Sequence, residues 1–331
     1  MMSDVMRESE RDADVLVIGA GMAGVTAAAE LQRAGRRVLV LDKGRAVGGR
    51  LASRRVGAAT FDHGAQFITA RTPRFAAVIE ECREAGVVEE WCRGFAERAD
   101  GHARWRGRPA IAAVAKHLAR GLEIVLETQV VALRRSEAGW TAVTQLGEAF
   151  CAGAVVLTAP VPQSLAIMEA GGLTLAAETR TRLEGIAYER CLAVLAVLSG
   201  PSRLAPPGGL APVGGPIAWI ADNQLKGISA EPSVTIHANH AFSLERWEHD
   251  RQESGRQLLS AAAPWLGAST RTFQVHGWRY SKPMQTDERP CLIVSEDPPL
   301  VLAGDGFAGP RVEGAALSGW AAAEAILAGA S

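Results

Sequence analysis

The chain has 331 residues, of which 48% are hydrophobic, and a formal net charge of −1. That length and apolar content can bury the cores of two domains. The balanced charge excludes a nucleic-acid partner, since basic stretches such as Arg50–Arg55 are short and there is no Lys/Arg tail.

The first twelve residues, MMSDVMRESERD, are polar and carry both signs, so they read as a frayed leader rather than a signal or transit peptide. Residues 15–42 then read VLVIGAGMAGVTAAAELQRAGRRVLVLD, an apolar strand, three glycines, an Ala-rich helix and a second strand ending on an acid. This is the order of a nucleotide-binding βαβ unit. Gly19 permits the tight turn, Gly21 admits a pyrophosphate to the backbone, and Gly24 lets the helix pack on the sheet. The helix N-terminus, including Met22 and Ala23, offers free N–H groups and a positive dipole end to phosphates. Asp42, eighteen residues after Gly24, can accept both hydroxyls of an adenosine ribose.

The loop KGRAVGGRLASRR (43–55) then leaves the sheet, followed by FDHGAQFITA (61–70). The spacing predicts a helix over Arg74–Ala85, a further turn or two over Val87–Arg93 and an amphipathic helix over Ala110–Leu118. Glu123–Val131 reads as a strand entering a hairpin that turns at Glu137–Gly139. Ala154–Leu157 reads as a buried strand stopped by Thr158, Ala159 and Pro160. Next come a helix over Pro162–Leu183, a strand over Cys191–Leu198, a Pro/Gly-rich loop over Pro201–Pro216 and strands over Ile217–Ala221 and Val234–Ala238. Ser243–Ala263 has helical spacing opened by a Ser243 cap, and Thr272–Tyr280 alternates like a strand. The last segment returns to the first pattern, with a strand over Leu300–Ala303, a Gly304-Asp305-Gly306 turn and a helix over Gly314–Leu327. The longest apolar run, near Cys191–Leu198, is too short to cross a bilayer, so a cytoplasmic protein with no membrane partner is expected. Cys82, Cys92, Cys151, Cys191 and Cys291 form no CxxC pair, which points to neither a disulfide framework nor a metal site.

Three features favour FAD over a nicotinamide as the resident nucleotide. Gly48-Gly49-Arg50 lies just past the acid-ended strand, where small residues let the loop cross the pyrophosphate and Arg50 can neutralise it. The helix beginning at Arg311-Val312-Glu313-Gly314-Ala315-Ala316 follows the Gly304-Asp305-Gly306 turn, so its N-terminus can face the flavin carbonyl edge and stabilise negative charge there. Gln129-Val130-Val131 is a strand edge whose backbone can read an adenine, and Asp305 is placed for ribityl or phosphate-linked groups. Lys43 and Arg45 lie in the same cofactor loop.

With GAGMAG, LDKGRAVGGRLASRR, FDHGAQFITAR, VVLTAP, HGWRYSKP and AGDGFAGPRVEGAALSGWAAAEAIL in family order along nearly the whole chain, the sequence resembles the p-hydroxybenzoate-hydroxylase-like flavoproteins of the flavin amine oxidase superfamily. Within them it is most similar to the bacterial renalases. The resemblance implies an α/β, two-domain flavoprotein with a Rossmann-type FAD-binding domain (12–60, 108–160 and 289–331) and a mixed α+β substrate domain (61–107 and 161–288). It also implies noncovalent FAD, contacted by Gly64, Ala65, Gln66 and Ala159 as well as by the glycine-rich segments. The implied activity is that of an oxidase taking a hydride from 2- or 6-dihydro isomers of NAD(P), returning NAD(P)+ and passing electrons to O2 to form H2O2. The partners are then a dinucleotide and O2, and the molecule a monomer or homodimer. The chain departs from the family pattern at Gly306-Phe307, where a Trp is typical, and at His237-Ala238-Asn239-His240-Ala241-Phe242-Ser243, where a Trp-Ser pair is typical.

Oxidising a dihydropyridine yields an aromatic cation by loss of hydride alone, so no base is needed at the donor carbon. The pocket must hold that carbon near the flavin and shield it from water. His63 and Gln66 sit in the loop expected to pass the flavin ring. Trp278 and Tyr280 alternate with His276 and share a strand face, either as core packing or as a wall for a planar ring. These four, His63, Gln66, Trp278 and Tyr280, are the candidate catalytic residues. His237 and His240 read as hydrogen-bonding groups. Two other readings stay open: a flavin amine oxidase or desaturase, for which Lys226 and Lys282 are the remaining lysine candidates, and a flavin-bearing binding protein without turnover.

Overall fold

The computed structural model describes residues 12–95, 100–137 and 139–329. The expected leader (except Asp12) and the centre of the Glu137–Gly139 turn lie outside the described residues. The chain divides into two compact units, one of residues 1–49, 115–187 and 283–331 and one of residues 50–114 and 188–282.

The first unit is built on a sheet whose order runs Leu292–Glu296, Pro299–Leu302, Ala149–Leu157, Ala13–Ile18, Val38–Leu41, Glu123–Val125. Ala13–Ile18 lies parallel to both Val38–Leu41 and Ala149–Leu157, and the latter is parallel to Pro299–Leu302. Leu292–Glu296 pairs antiparallel at the edge, and the hairpin of Val130–Ser136 and Gly139–Thr144 branches from Ala149–Leu157. Continuous apolar runs such as Val38–Leu41, buried at all four positions, are what a parallel sheet covered on both faces requires. The helices Met22–Arg33 and Val312–Ala328 cover it with Ala27, Ala28, Leu31, Ala322, Ala323 and Ile326. Their mutual approach is close: a Cβ on Gly319 would lie 2.2 Å from the Ala23 carbonyl oxygen.

The second unit holds a five-stranded sheet, in the order Gly209–Leu210, Ile217–Asp222, Ser233–Ala238, Tyr188–Leu198, Thr270–Pro283. Leu192, Val194, Ala196 and Leu198 face the helix Arg251–Leu266 through Leu258, Ala262 and Leu266. Leu195 and Val197 point the other way, onto Ala59, Phe61 and Trp278. Two hairpins complete the unit, Ser53–Val56 with Ala59–Asp62 and Val88–Cys92 with Arg104–Gly107.

Several elements differ from the sequence expectation. Val87–Arg93 is not helical: Gly86, at φ +69°, ends the preceding helix Pro73–Glu84, and Val88–Cys92 then finds a strand partner. Pro162–Leu183 is two helices, Val161–Ala170 and Ala177–Glu184, parted at Gly171-Gly172. Ser243 caps nothing. Asn239 caps a short helix His240–Glu245 and Asp250 caps Arg251–Leu266, while the Ser243 hydroxyl accepts the Leu192 N–H. Glu123–Val131 breaks after Val125, where Glu127 takes φ +54°. Residues 50–60 fall in the second unit because Ser53–Val56 pairs with Ala59–Asp62, and 161–187 fall in the first with the helices that follow Pro160.

Candidate active site

In the first unit, three parallel strands end side by side at Ile18, Leu157 and Leu302, and their loops gather at that edge, the usual ligand position of an open α/β sheet. Gly19, at φ +109°, turns the chain there, and the Thr158 hydroxyl donates to the carbonyls of Ile18 and Gly19. Gly48 donates to the Ala20 carbonyl at 2.8 Å, drawing the Gly48-Gly49 loop beside Gly21. Gly304 N–H is held by Ser318 Oγ at 2.9 Å. The helix Met22–Arg33 starts at Gly21 with no side-chain cap and no acid in its first turn, and Val312–Ala328 starts at Arg311 with no side-chain cap. Among the described residues, a Cβ on Gly21 would meet nothing within 4 Å. Uncapped N–H donors facing open space fit the pyrophosphate of a dinucleotide.

Asp42 is more engaged than its sequence position suggests. Its Oδ2 accepts the Ala20 N–H and its Oδ1 the Gly44 N–H, both at 2.6 Å. Each oxygen keeps a lone pair, so the carboxylate can brace the glycine turn and take a ribose hydroxyl together. Asp42→Ala is expected to weaken FAD binding by about 1–3 kcal/mol, the range for a lost charge-assisted bond, with the dissociation constant read by flavin fluorescence. An unchanged constant would reduce Asp42 to a loop brace. Val130 sits on the hairpin strand opposite Thr144, and Ala159 lies in the loop after Leu157, its carbonyl taken by Ser164 Oγ. Asp305 is buried and Gly314 packs on the Gly309 carbonyl, with Val312 and Ala315 beside it in the first turn. Lys43 and Arg45 stand at the surface, Arg45 93% exposed and 3.7 Å from Glu127.

The second unit brings together His63, Gly64, Ala65, Gln66, Trp278 and Arg50. A Cβ on Gly64 would lie 2.0 Å from the Arg50 carbonyl and 3.4 Å from the Trp278 ring, so only glycine fits there. Ala65 N–H donates to the same Arg50 carbonyl at 2.9 Å. The His63 ring stacks on Trp278 at 5.3 Å and 17°, and His276 meets both edge-on at 4.7 and 4.4 Å. Trp278 Nε1 donates to the His63 carbonyl at 2.8 Å, and His237 Nε2 lies 3.1 Å from it. Burial pushes the three imidazoles down: His63 to about 3, helped by His276, Arg54 and His237; His237 to about 4; and His276 to about 4, helped by Arg54 and Arg251. Tyr280 is apart from this group, its ring 5.7 Å from Tyr188. The Arg50 guanidinium donates to the Tyr280 and Ser281 carbonyls at 3.3 Å, so within this unit it pins a strand end. His240 Nδ1 accepts the Arg190 N–H.

The residue that sequence reasoning missed is Asp62. Its Oδ1 takes Ser53 Oγ at 2.7 Å and the Ile111 N–H at 3.0 Å, and its Oδ2 takes Lys226 Nζ at 2.7 Å, with both charged side chains 0% exposed. No spacing links Asp62 to Lys226; only a charged residue within an apolar flank, Phe61-Asp62, could have flagged it. Lys282 is exposed and pairs with Glu189.

The fold and the cradle of the first unit are those of a dinucleotide-binding domain, and the second unit carries a cluster of aromatic and imidazole rings. Residues 17–82 match an NAD(P)-binding Rossmann-like domain, and residues 92–327 match the flavin-containing amine oxidoreductases. The chain belongs to the flavin-containing amine oxidoreductase family, and FAD is its cofactor. Putrescine oxidase of Kocuria rosea is 40% identical over 74 residues, and AofH of Mycobacterium tuberculosis, assigned as a flavin-containing monoamine oxidase, is 43% identical over 74. Each match covers 22% of this chain and 16% of the relative, so the chain matches less than a fifth of the length of these relatives. Among solved structures, a triply substituted putrescine oxidase aligns with a TM-score of 0.73 at 15% identity over 96% of this chain and 99% of that one. A Pyrococcus furiosus protein, PF1083, aligns with a TM-score of 0.66 at 16% identity over 95% and 97%. At these identities the likeness is one of fold. Among the described residues, no helix is long and apolar enough to cross a membrane.

Proposed function

We propose that this flavin enzyme is a renalase-like oxidase that takes a hydride from 2- or 6-dihydro isomers of NAD(P), returns NAD(P)+ and passes the electrons to O2 as H2O2. The observation that carries the reading is the wall itself: three imidazoles held neutral by burial, one stacked on an indole whose N–H is fixed to a backbone carbonyl. FAD, when bound, supplies the two-electron acceptor. Trp278, fixed through its N–H and stacked on His63, would border a planar donor ring, and neutral imidazoles do not oppose the positive charge that grows on the ring as hydride leaves. No proton leaves the donor carbon, so no side chain has to ionise. The Gly304–Glu313 segment holds neither Cys nor His, which supports noncovalent FAD. The reading has the enzyme in the cytoplasm as a monomer or homodimer.

The names of the relatives favour a second reading, oxidation of an amine. One experiment separates the two. Anaerobic addition of isomeric dihydronicotinamide dinucleotides should bleach the flavin at a rate that varies little between about pH 6 and pH 9. The imidazoles at about 3 to 4 are already neutral throughout that range. An amine donor would instead reduce faster as pH rises and its ammonium deprotonates. Trp278→Ala should slow reduction or weaken donor binding far more than FAD binding. Bleaching by amines alone, or a steep pH dependence with dihydronicotinamides, overturns the first reading.

A further inference from the structure

The loop between Pro283 and Leu292 carries a carboxylate that is clamped on both oxygens. Asp287 Oδ1 accepts the Arg289 N–H at 2.9 Å and Arg289 Nε at 3.1 Å, while its Oδ2 accepts Arg289 Nη2 at 3.3 Å and lies 3.2 Å from Arg182 Nε. The Asp287 side chain is only 2% exposed, although both guanidiniums reach solvent. A planar fork on one side and a second guanidinium on the other leave the carboxylate a single position. Arg182 belongs to the helix Ala177–Glu184, so the clamp fastens the loop to the body of the first unit.

What the clamp positions is a backbone donor. The Asp287 N–H donates to the Gly306 carbonyl at 2.8 Å, and the other end of that peptide, the Phe307 N–H, donates to the Gly304 carbonyl at 3.0 Å. The Gly306–Phe307 peptide is thereby fixed at both ends. At the entrance to the same turn, Gly304 N–H donates to Ser318 Oγ and Ala303 N–H to the Leu157 carbonyl at 3.1 Å. Strand and helix anchor the entrance; Asp287 anchors the exit. The turn stands at the strand ends, where an open α/β sheet takes its ligand. Among the described residues, a Cβ on Gly304 would meet only the Thr158 carbonyl oxygen, at 3.6 Å, and Thr158 is also the residue whose hydroxyl braces Gly19. Two glycine turns thus flank Thr158 at one edge of one sheet.

We propose that Asp287 is a positioning residue of the FAD site, holding the Gly304–Phe307 turn in the conformation that receives the cofactor. It acts through its own backbone N–H on Gly306, and its carboxylate serves to keep that N–H in place. Every residue of the arrangement belongs to the first unit, and the assignment holds whichever donor reduces the flavin. Without the clamp the turn would have to be ordered as FAD binds, and affinity would fall by that cost.

The test is titration of the apoprotein with FAD, read by flavin fluorescence at a temperature where each variant is folded, with the melting temperature of the apoprotein measured alongside. Asp287→Ala should raise the FAD dissociation constant about ten- to thirtyfold. Asp287→Asn keeps an oxygen for the Arg289 N–H and Nε, and should stay within about threefold of the parent. A merely structural carboxylate would lower the melting temperature of Asp287→Ala and leave the constant of the folded apoprotein unmoved. If Asp287→Ala does not accumulate folded, Arg289→Ala, which removes the fork and keeps the carboxylate, takes its place with the same expected direction. A parent-like dissociation constant in the Ala variant, or an Asp287→Asn protein that binds FAD as weakly as the Ala variant, overturns the assignment.

Discussion

Lys226→Met is expected to destabilise the second unit by about 3–5 kcal/mol, the cost of stranding one charge of a buried pair. Asp62 and Lys226 are both wholly buried, 2.7 Å apart, and the other donors to Asp62 among the described residues, Ser53 Oγ and the Ile111 N–H, are neutral. Burial pushes the Lys226 ammonium down while the carboxylate beside it pulls it up. The pair is stable only as a pair. Removing both charges, by combining Lys226→Met with Asp62→Asn, should therefore recover a large part of the loss, since the amide oxygen of the replacement still accepts from Ser53 and Ile111. Urea unfolding followed by tryptophan fluorescence gives the three free energies. A single-variant loss below about 1 kcal/mol, the scale of a surface pair, would show that water reaches Asp62 in solution.

Gly24→Ala should leave a folded protein that holds FAD about ten- to hundredfold more weakly. Its Cβ would lie 1.8 Å from the Gly19 carbonyl oxygen and 3.1 Å from Thr158 Oγ1. That oxygen cannot retreat, because Gly19 N–H is tied to Leu41 and the carbonyl itself to Thr158. The helix must then lift from the strand end, carrying the phosphate-facing N–H groups with it. Gly21→Ala is the informative companion. Its methyl meets no atom of the described residues within 4 Å, so the melting temperature of the apoprotein should hold while FAD affinity falls. Parent-like affinity in Gly21→Ala would mean that the phosphates pass elsewhere.

Much of the first unit was legible because its signals are local. The strand from Ala13 to Ile18, the turn at Gly19 and the acid at Asp42 are set by hydrophobic period and by glycine conformations that act over a few residues. The same holds for the terminal strand and helix. The second unit was less legible, since its strands are fixed by partners distant in sequence. Val88–Cys92 shows no clean alternation and becomes a strand only because Arg104–Gly107 lies beside it. Ser243 looked like a helix cap, yet its hydroxyl is spent on Leu192 across the unit. For the candidate site, the glycine set, Asp42, His63, Gln66 and Trp278 could be chosen by residue type and spacing. The Asp62–Lys226 pair could not, because a lysine in the loop after Asp222 carries no local mark of burial.

The chain passes between the two units four times, and strand Pro299–Leu302, which pairs with Ala149–Leu157, follows the whole of the second unit in sequence. During synthesis the nucleotide-binding sheet therefore waits, with the edge of Ala149–Leu157 unpaired, until residues 299–302 have left the ribosome. Most of the second unit is made in that interval. Cofactor capture then has to follow synthesis of the second unit, and a ribosome that stalls before residue 299 releases a chain with an open sheet edge, a substrate for chaperones and proteases rather than a smaller flavoprotein.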